Sequence, residues 1–437
     1  MLVIILLVFL ILFFISMRCL KDIVSQSIAF FFLFYWGVSL VLSNLGLFNL
    51  FDVRTSTYLY FLLGVSAFIL GMAAVERREK NFFPYAEKIS KDLAELALNK
   101  FFIVAQIVLT VYLAKYAILS MAIAKVSGKG AMQGGDVAAV LRTVPYLEFI
   151  YSVAGNITFN ITCPLLMYLI LRFQKKYIPR IILCLLFIAV FAIINGGRSL
   201  FVIAALYFVI TYTCVNKQQK FSFSKEKIIA TVILIAVSLV GISFMTQYRD
   251  RGNFEVDLET FSESISESGE KVGLYSTLPF VMFDYALKQD YLQMFDGYQF
   301  GRATFAGFDI YVTGVLKTFG FDLVNTNVKI THYLQETWVP ITNKNTANYA
   351  YTGILQHYLD FGLFGIFIFP FVFGLITRYL VFKVQTTGNV FIFLFLSFAF
   401  FMAIHSVFTC YFIKTWPYWY FAFLLIGYLK TNQNNRV

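Results

Sequence analysis

The chain has 437 residues, of which 59% are hydrophobic and 14% are charged. Such a composition excludes an ordinary soluble domain and predicts a polytopic membrane protein. The net charge of +11 comes from lysine and arginine between the apolar runs, so it informs membrane orientation and predicts no nucleic-acid partner. The five cysteines are scattered and predict neither a disulfide framework nor a metal site.

Eleven apolar runs predict membrane spans, and hence an all-α fold with a single transmembrane domain over residues 1–437. The predicted spans are 1–17, 27–48, 57–74, 101–124, 146–171, 180–195, 200–215, 228–246, 361–380, 389–409 and 412–430. Basic residues are concentrated in alternate loops. By the positive-inside rule those loops face the cytoplasm, so the amino terminus lies outside and the carboxyl terminus inside.

Two polar features are notable, one within a span and one between two spans. The fifth span carries Asn156 and Asn160 on one helix face, which predicts either hydrogen bonds between helices or the wall of a polar cavity. The sixth and seventh spans are joined by the turn Asn195-Gly196-Gly197-Arg198-Ser199. Paired glycines tolerate positive φ, so we expect a hairpin with Arg198 at its outer tip. Near the outer membrane surface, Arg198 is predicted to be either a loop residue that snorkels to the headgroups or a clamp for an anion.

The longest polar segment is a loop of about residues 247–352, between the eighth and ninth spans and on the predicted outer side. It opens with Arg249-Asp250-Arg251. Within it, Leu274–Leu287 and Ala303–Leu316 are semi-apolar and predict short helices that lie in the membrane interface. Loops of this length usually carry function.

Three short motifs follow one another on the same predicted side of the membrane. They are the Asn195–Ser199 turn, the sequence Gly297-Tyr-Gln-Phe-Gly301-Arg302, and Tyr351-Thr352 followed by Asp360-Phe361-Gly362 and Gly365. Together with the single long outer loop, they resemble the oligosaccharide repeat-unit polymerases, the Wzy-type O-antigen polymerases of bacteria. The resemblance covers most of the chain in architecture and these motifs in detail.

The resemblance implies a GT-C-type helical glycosyltransferase in the bacterial cytoplasmic membrane, with its active site facing the periplasm. Such polymerases transfer a growing glycan from undecaprenyl diphosphate to the non-reducing end of a new lipid-linked repeat unit, for O-antigen or a related polysaccharide. The implied partners are undecaprenyl-diphosphate-linked oligosaccharide, bilayer lipid, a chain-length regulator and a flippase. The related O-antigen ligases carry a histidine where this chain has Tyr351, which favours a polymerase.

The chemistry of such a reaction predicts roles for charged residues. The leaving lipid diphosphate needs its negative charge stabilised, and arginines can do this without a metal ion or other cofactor. Arg198, Arg249 and Arg251 all lie at predicted outer ends of spans, and Arg302 is a further candidate for phosphate or sugar. The turn residues Asn195, Gly196, Gly197 and Ser199, with Tyr351 and Thr352, are the remaining candidates for substrate binding.

A direct displacement also needs a general base for the acceptor hydroxyl. The candidates on the predicted outer side are Asp250, Asp284, His332, His357 and Asp360, and the sequence does not choose among them. Asp360 could equally anchor the ninth span. Aromatic residues such as Tyr351 could stack on sugars, although aromatic belts at membrane interfaces are common.

Two other functions stay open on the sequence. The first is an O-antigen ligase or another lipid-linked glycosyltransferase. The second is a flippase or exporter of lipid-linked oligosaccharide, which performs no catalysis. Such transporters usually show internal repeats and short outer loops, and neither feature is found in this sequence.

Overall fold

In this computed structural model the described residues are 1–75, 84–127, 146–195, 199–215, 243, 258–321, 323–343, 345–348 and 351–434. Their two strands, Val339–Pro340 and Thr346–Ala347, form one short antiparallel pair, and nearly all other regular structure in this part is helical. Seven helices of the described part are long and apolar enough to cross a membrane. The predicted all-α polytopic membrane fold is therefore confirmed.

The seven candidate spans overlap seven of the predicted ones. They are Leu2–Cys19, Ile23–Asn44, Thr55–Ala74, Lys100–Ile118, Ile150–Leu171, Lys175–Ile194 and Gly353–Thr387. Three other predicted spans coincide with the helices Ser199–Val215, Val390–His405 and Trp416–Asn434, which are not among the seven. The predicted span 228–246 lies outside the described residues except for position 243. The count of eleven thus stays a prediction.

Other helical segments lie within, next to or between these spans. They are Pro84–Leu98, Leu147–Phe149, the π-helix Ile150–Gly155, Lys175–Tyr177, Leu258–Lys288, Tyr291–Met294, Ala306–Thr318, the π-helix Asn327–His332, Tyr333–Glu336 and Tyr411–Ile413. Helix Pro84–Leu98 has proline at its first position, where a missing N–H costs nothing. Its buried positions recur every three or four residues, so one face is apolar.

The chain divides into two compact units where the sequence predicted one transmembrane domain. The first contains Met1–Asn81, Lys271–Lys383 and Ala399–Phe423. The second contains Phe82–Glu270, Val384–Phe398 and Leu424–Val437. In the second unit Tyr207 donates a hydrogen bond to the Asn160 side chain, as predicted for a contact between helices. Asn156 instead donates to the Ser152 carbonyl within its own helical segment.

The core of the first unit includes part of the long loop. The segment Leu274–Leu287 is the second half of a 31-residue helix, Leu258–Lys288, and not a separate short helix. Phe280 and Phe283 are fully buried and lie 4.7 and 5.0 Å from Phe61, measured between ring centres. Aromatic contacts of this kind add about 0.5–1.5 kcal/mol each beyond the area they bury. These rings therefore make the segment part of the helical core.

An ionic cluster closes this core. The buried carboxylate of Asp284 accepts hydrogen bonds from Arg54 Nε at 2.9 Å and Lys288 Nζ at 2.7 Å, and also from the Thr57 hydroxyl. Arg54 immediately precedes the third span, whereas Asp284 belongs to the long loop. The charge bias of the sequence places both segments on the outer side of the membrane, and in the structure they are in contact. Because its oxygens are occupied, Asp284 is a structural ion-pair residue and a poor general base.

Other contacts also join segments that the charge alternation places on one side of the membrane. These pairs are Arg378 with Asp22, Lys88 with Thr387, Arg172 with Val215, and Trp419 with Tyr311. The first three lie on the predicted inner side and the fourth on the predicted outer side. The alternating topology is thus consistent with the contacts within each unit.

Candidate functional site

The second motif forms a compact turn, which we call the glycine loop, residues 297–304. Gly297, Phe300 and Gly301 all have positive φ, at 89°, 53° and 92°. Glycine adopts such angles without steric cost, which explains its place at two of the three positions. The side-chain amide of Gln299 donates to the carbonyls of Phe295 and Gly297, both at 2.7 Å, and fixes the start of the loop.

Asp360 holds the glycine loop in place. Its carboxylate is completely buried and accepts three backbone hydrogen bonds. The N–H groups of Gly301 and Ala303 donate to Oδ1 at 2.8 and 2.9 Å, and that of Thr304 donates to Oδ2 at 2.8 Å. A buried charge is costly without such donors, so carboxylate and loop depend on each other. Two of the three motifs therefore form one structural unit.

A break in the helix Gly353–Thr387 exposes further acceptors to the glycine loop. Phe361 and Gly362 leave the helical conformation, with φ of −146° and 61° respectively. The carbonyl of Leu359 accepts from the Gln299 N–H at 3.0 Å, and the carbonyl of Asp360 accepts from the Phe300 N–H at 3.3 Å. Because an intact helix would use these carbonyls itself, the break lets the loop dock.

His357 lies one turn before Asp360 and also reaches the loop. Its Nδ1 is 2.9 Å from the Thr304 hydroxyl, and its ring stacks on Phe369 with 4.9 Å between ring centres. The imidazole lines a cavity of about 170 Å³ whose walls are mostly aromatic and aliphatic. A cavity of this character suits hydrocarbon or stays dry. These surroundings do not favour His357 as the base for a sugar hydroxyl.

Tyr351 and Thr352, which the sequence predicts to bind substrate, are both buried. Tyr351 is only 2% exposed, and its hydroxyl lies 3.5 Å from that of Tyr291. Burial raises the pKa of Tyr351 well above its usual range and that of Tyr291 to about 12, so both stay protonated. The Thr352 hydroxyl accepts from the Ile354 N–H at 3.2 Å, which caps the following helix.

Arg302 is committed to protein contacts. Its Nε and Nη2 lie 3.0 and 3.3 Å from the two carboxylate oxygens of Asp309. Nη2 also donates to the Val324 carbonyl at 2.7 Å. The predicted role of Arg302 as a ligand for phosphate or sugar is therefore not supported, because a buried carboxylate already occupies the guanidinium.

His332 has a partner that the sequence reasoning missed. Its Nδ1 lies 3.0 Å from Oε2 of Glu336, four residues later, and both side chains are exposed. The i, i+4 spacing of the two residues was a signal for this pair. A carboxylate on one imidazole nitrogen orients the ring and leaves the other nitrogen for proton transfer.

The remaining predicted site residues fall at the edge of the described residues or outside them. Gly196, Gly197, Arg198, Arg249, Asp250 and Arg251 lie outside the described residues. One helix ends at Asn195 and the next begins at Ser199, so two separate helices lie at the positions of the predicted sixth and seventh spans.

Comparisons with protein-family models, with curated proteins and with solved structures find no match. In the part of the chain that the structure describes, no cluster of three or more His, Cys, Asp or Glu side chains could hold a metal ion. The site is therefore interpreted from its own geometry: a buried carboxylate that holds a glycine-rich turn on a broken membrane helix.

Proposed function

We propose that this chain is a polymerase of lipid-linked oligosaccharide repeat units. It would transfer a growing glycan from undecaprenyl diphosphate to the non-reducing end of a new lipid-linked unit. The observation that carries the proposal is the bonding of the glycine loop to Asp360 through three backbone N–H groups. Two of the motifs behind the resemblance are thus parts of one structural unit, and this supports the proposal.

The proposed setting follows from the membrane fold. Eleven spans would form a GT-C-type glycosyltransferase in the bacterial cytoplasmic membrane, with the long loop facing the periplasm. The contacts of Arg54 with Asp284 and of Tyr311 with Trp419 support a common side for the loop segments. A chain-length regulator and a flippase are the proposed partners, and the reaction would need no metal or other cofactor.

In the proposed reaction the acceptor hydroxyl attacks the anomeric carbon of the donor glycan. A glycosidic bond forms, the bond from that carbon to the diphosphate oxygen breaks, and the hydroxyl proton passes to a base. Arg198, Arg249 and Arg251 would stabilise the departing diphosphate by charged hydrogen bonds. Since Arg302 is bound to Asp309, the proposal assigns no diphosphate contact to Arg302.

The contacts of Asp284, Asp360 and His357 reduce the number of candidates for the general base that would accept the hydroxyl proton. The carboxylates of Asp284 and Asp360 are occupied by donors, and His357 lines an apolar cavity. The proposal therefore keeps Asp250 and His332 as base candidates, the latter oriented by Glu336. A loss of turnover in Asp250→Asn or His332→Gln, with the lipid-linked substrate still bound, would identify the base.

The test uses purified protein, a synthetic undecaprenyl-diphosphate repeat unit and a metal chelator. We expect a ladder of glycans from the wild type and from Arg18→Ala, a control on the predicted inner side. Arg198→Ala should fold and give little or no ladder. If the wild type makes no ladder but moves the lipid across proteoliposomes, the chain is a flippase. Transfer only to a non-repeat acceptor would indicate a ligase.

A further inference from the structure

The helix Ala306–Thr318 has its apolar side facing outward. Its exposed positions Phe308, Val312 and Val315 and the following Phe319 are spaced by three or four residues, so they form one stripe. The opposite side is buried and includes Asp309 and Thr313. This arrangement is the reverse of a helix on a water-soluble protein.

The stripe continues over the turn that ends the helix. Gly320 has φ of 87°, and the N–H of Phe321 donates to the carbonyl of Leu316, which is the usual glycine termination of a helix. Beyond it, large apolar side chains are again exposed, namely Phe321, Leu323, Val324 and Val328. A continuous apolar surface of this kind needs a covering partner.

The surface is held rigidly from beneath. Asp309, only 7% exposed, accepts from Arg302 and from the Thr326 N–H at 2.8 Å, while Arg302 also binds the Val324 carbonyl. The helix and the turn after it are thereby joined through one ion pair. At the other end, a Cβ on Gly307 would lie 2.1 Å from the Lys414 carbonyl, so the backbones are in close contact.

The helix Trp416–Asn434, which contacts the stripe, indicates what covers it. Phe308 contacts Tyr418 with 5.5 Å between ring centres, and Trp419 Nε1 donates to the Tyr311 hydroxyl at 2.7 Å. Tyr418 and Trp419 begin the apolar helix Trp416–Asn434, on which Trp419 and Phe423 are exposed. The stripe is therefore continuous with exposed apolar residues of a helix that the sequence predicts to be a membrane span. Tryptophan and tyrosine are typical of the headgroup level.

We propose that residues 306–321 and 323–328 form a membrane wedge, whose apolar stripe inserts among lipid acyl chains on the side of the long loop. The Arg302–Asp309 ion pair fixes the wedge to the glycine loop, because Arg302 belongs to that loop and Asp309 to the wedge. The bilayer thus sets the depth of the glycine loop. Arg302 acts here as a positioning residue, and this role does not depend on the proposed enzymatic activity.

Fluorescence quenching in the full-length protein tests the wedge. Val315→Cys and Phe319→Cys are made in a Cys19→Ser background, since Cys19 is exposed and the other four cysteines are buried. Each is labelled with an environment-sensitive dye in phosphatidylglycerol–phosphatidylethanolamine vesicles that contain spin-labelled lipid. We expect several-fold stronger quenching at both sites than at Glu336→Cys, an exposed polar position of the same loop.

Equal, weak quenching at all three positions would overturn the proposal and place the stripe in water. Weak quenching together with dye emission that still reports apolar surroundings in lipid-free detergent would also overturn the proposal. In that case protein, and not lipid, would cover the stripe. Adding Arg302→Gln to Phe319→Cys should reduce the quenching. Lys91→Gln, which removes the exposed ion pair with Glu95, should leave it unchanged.

Discussion

At the scale of single residues, the glycine loop depends on the carboxylate of Asp360. Three backbone N–H groups of the loop converge on it in a site without exposure to solvent. Hydrogen bonds to a charged acceptor are stronger than neutral ones, and each donor left unpaired in the interior is costly. Asp360 is thus better explained as the anchor of the loop than as a proton acceptor.

The first prediction concerns Asp360→Asn. The amide would turn an N–H₂ group toward a backbone N–H, so at least one buried donor loses its acceptor. We expect a loss of about 2–4 kcal/mol in the free energy of unfolding. Thermal unfolding in detergent measures it, with Asp296→Asn as the exposed control. Equal unfolding midpoints for the two variants would contradict the anchoring role.

The second prediction concerns Gly362, which has φ of 61° and ψ of −139° at the helix break. An added Cβ would lie 3.0 Å from the Tyr298 hydroxyl, and the backbone angles are strained for any other residue. Gly362→Ala should therefore cost about 1–3 kcal/mol of stability.

Gly314→Ala is the matched control for Gly362→Ala. Gly314 lies within the helix Ala306–Thr318, and nothing lies within 4 Å of the position of its Cβ. That change should stabilise the protein by up to about 1 kcal/mol. A gain in stability from both alanines would mean that the break at Gly362 is not required.

At the scale of elements, the helix Leu258–Lys288 joins the long loop to the membrane helices. Its apolar rings pack on Phe61, and Asp284 binds Arg54, Thr57 and Lys288. Burial alone raises the pKa of Asp284, but hydrogen bonds from Lys288, Thr57 and Arg54 lower it more, so the pKa lies below its usual range.

The third prediction follows from this pKa. Because the folded pKa of Asp284 is below the unfolded value of about 3.9, the ionised cluster stabilises the fold above that pH. The contribution is lost as pH falls through the folded pKa. Asp284→Asn should lower the thermal midpoint at neutral pH, and the difference from wild type should shrink in acid. A difference in thermal midpoint that stays constant down to strongly acid pH would contradict this prediction. Glu95→Gln, at an exposed ion pair, serves as the control.

The same elements show what the sequence could predict. Long apolar runs such as Thr55–Ala74 are recognisable because a bilayer demands length and hydrophobicity. Phe61 and Arg54, which contact Phe280 and Asp284, lie more than two hundred residues earlier in the chain, so local patterns could not predict a core position for this segment. The two glycines of the glycine loop indicate a turn, but nothing local indicates that Asp360 holds it.

At the scale of the whole molecule, the loop segments that contact each other within a unit are ones that the charge alternation assigns to the same side of the membrane. This agreement supports the alternating order of the spans. The direction of the chain across the bilayer rests on the bias of lysine and arginine, which the positive-inside rule interprets.

The fourth prediction tests that direction. In a Cys19→Ser background, Glu336→Cys should react with an impermeant maleimide in intact cells. Lys91→Cys, which is also exposed, should react only after the membrane is permeabilised. The opposite pattern would invert the orientation and place the glycine loop on the cytoplasmic side.

The central claim is that the chain joins lipid-linked repeat units. Its most direct measurement counts glycosidic bonds formed and undecaprenyl diphosphate released by the purified protein during one round of reaction. We predict one released lipid diphosphate for each dimer of the repeat unit, with both products reduced together in Asp360→Asn. Release of lipid diphosphate without chain growth, or no dimer with the correct repeat unit, would contradict the polymerase function.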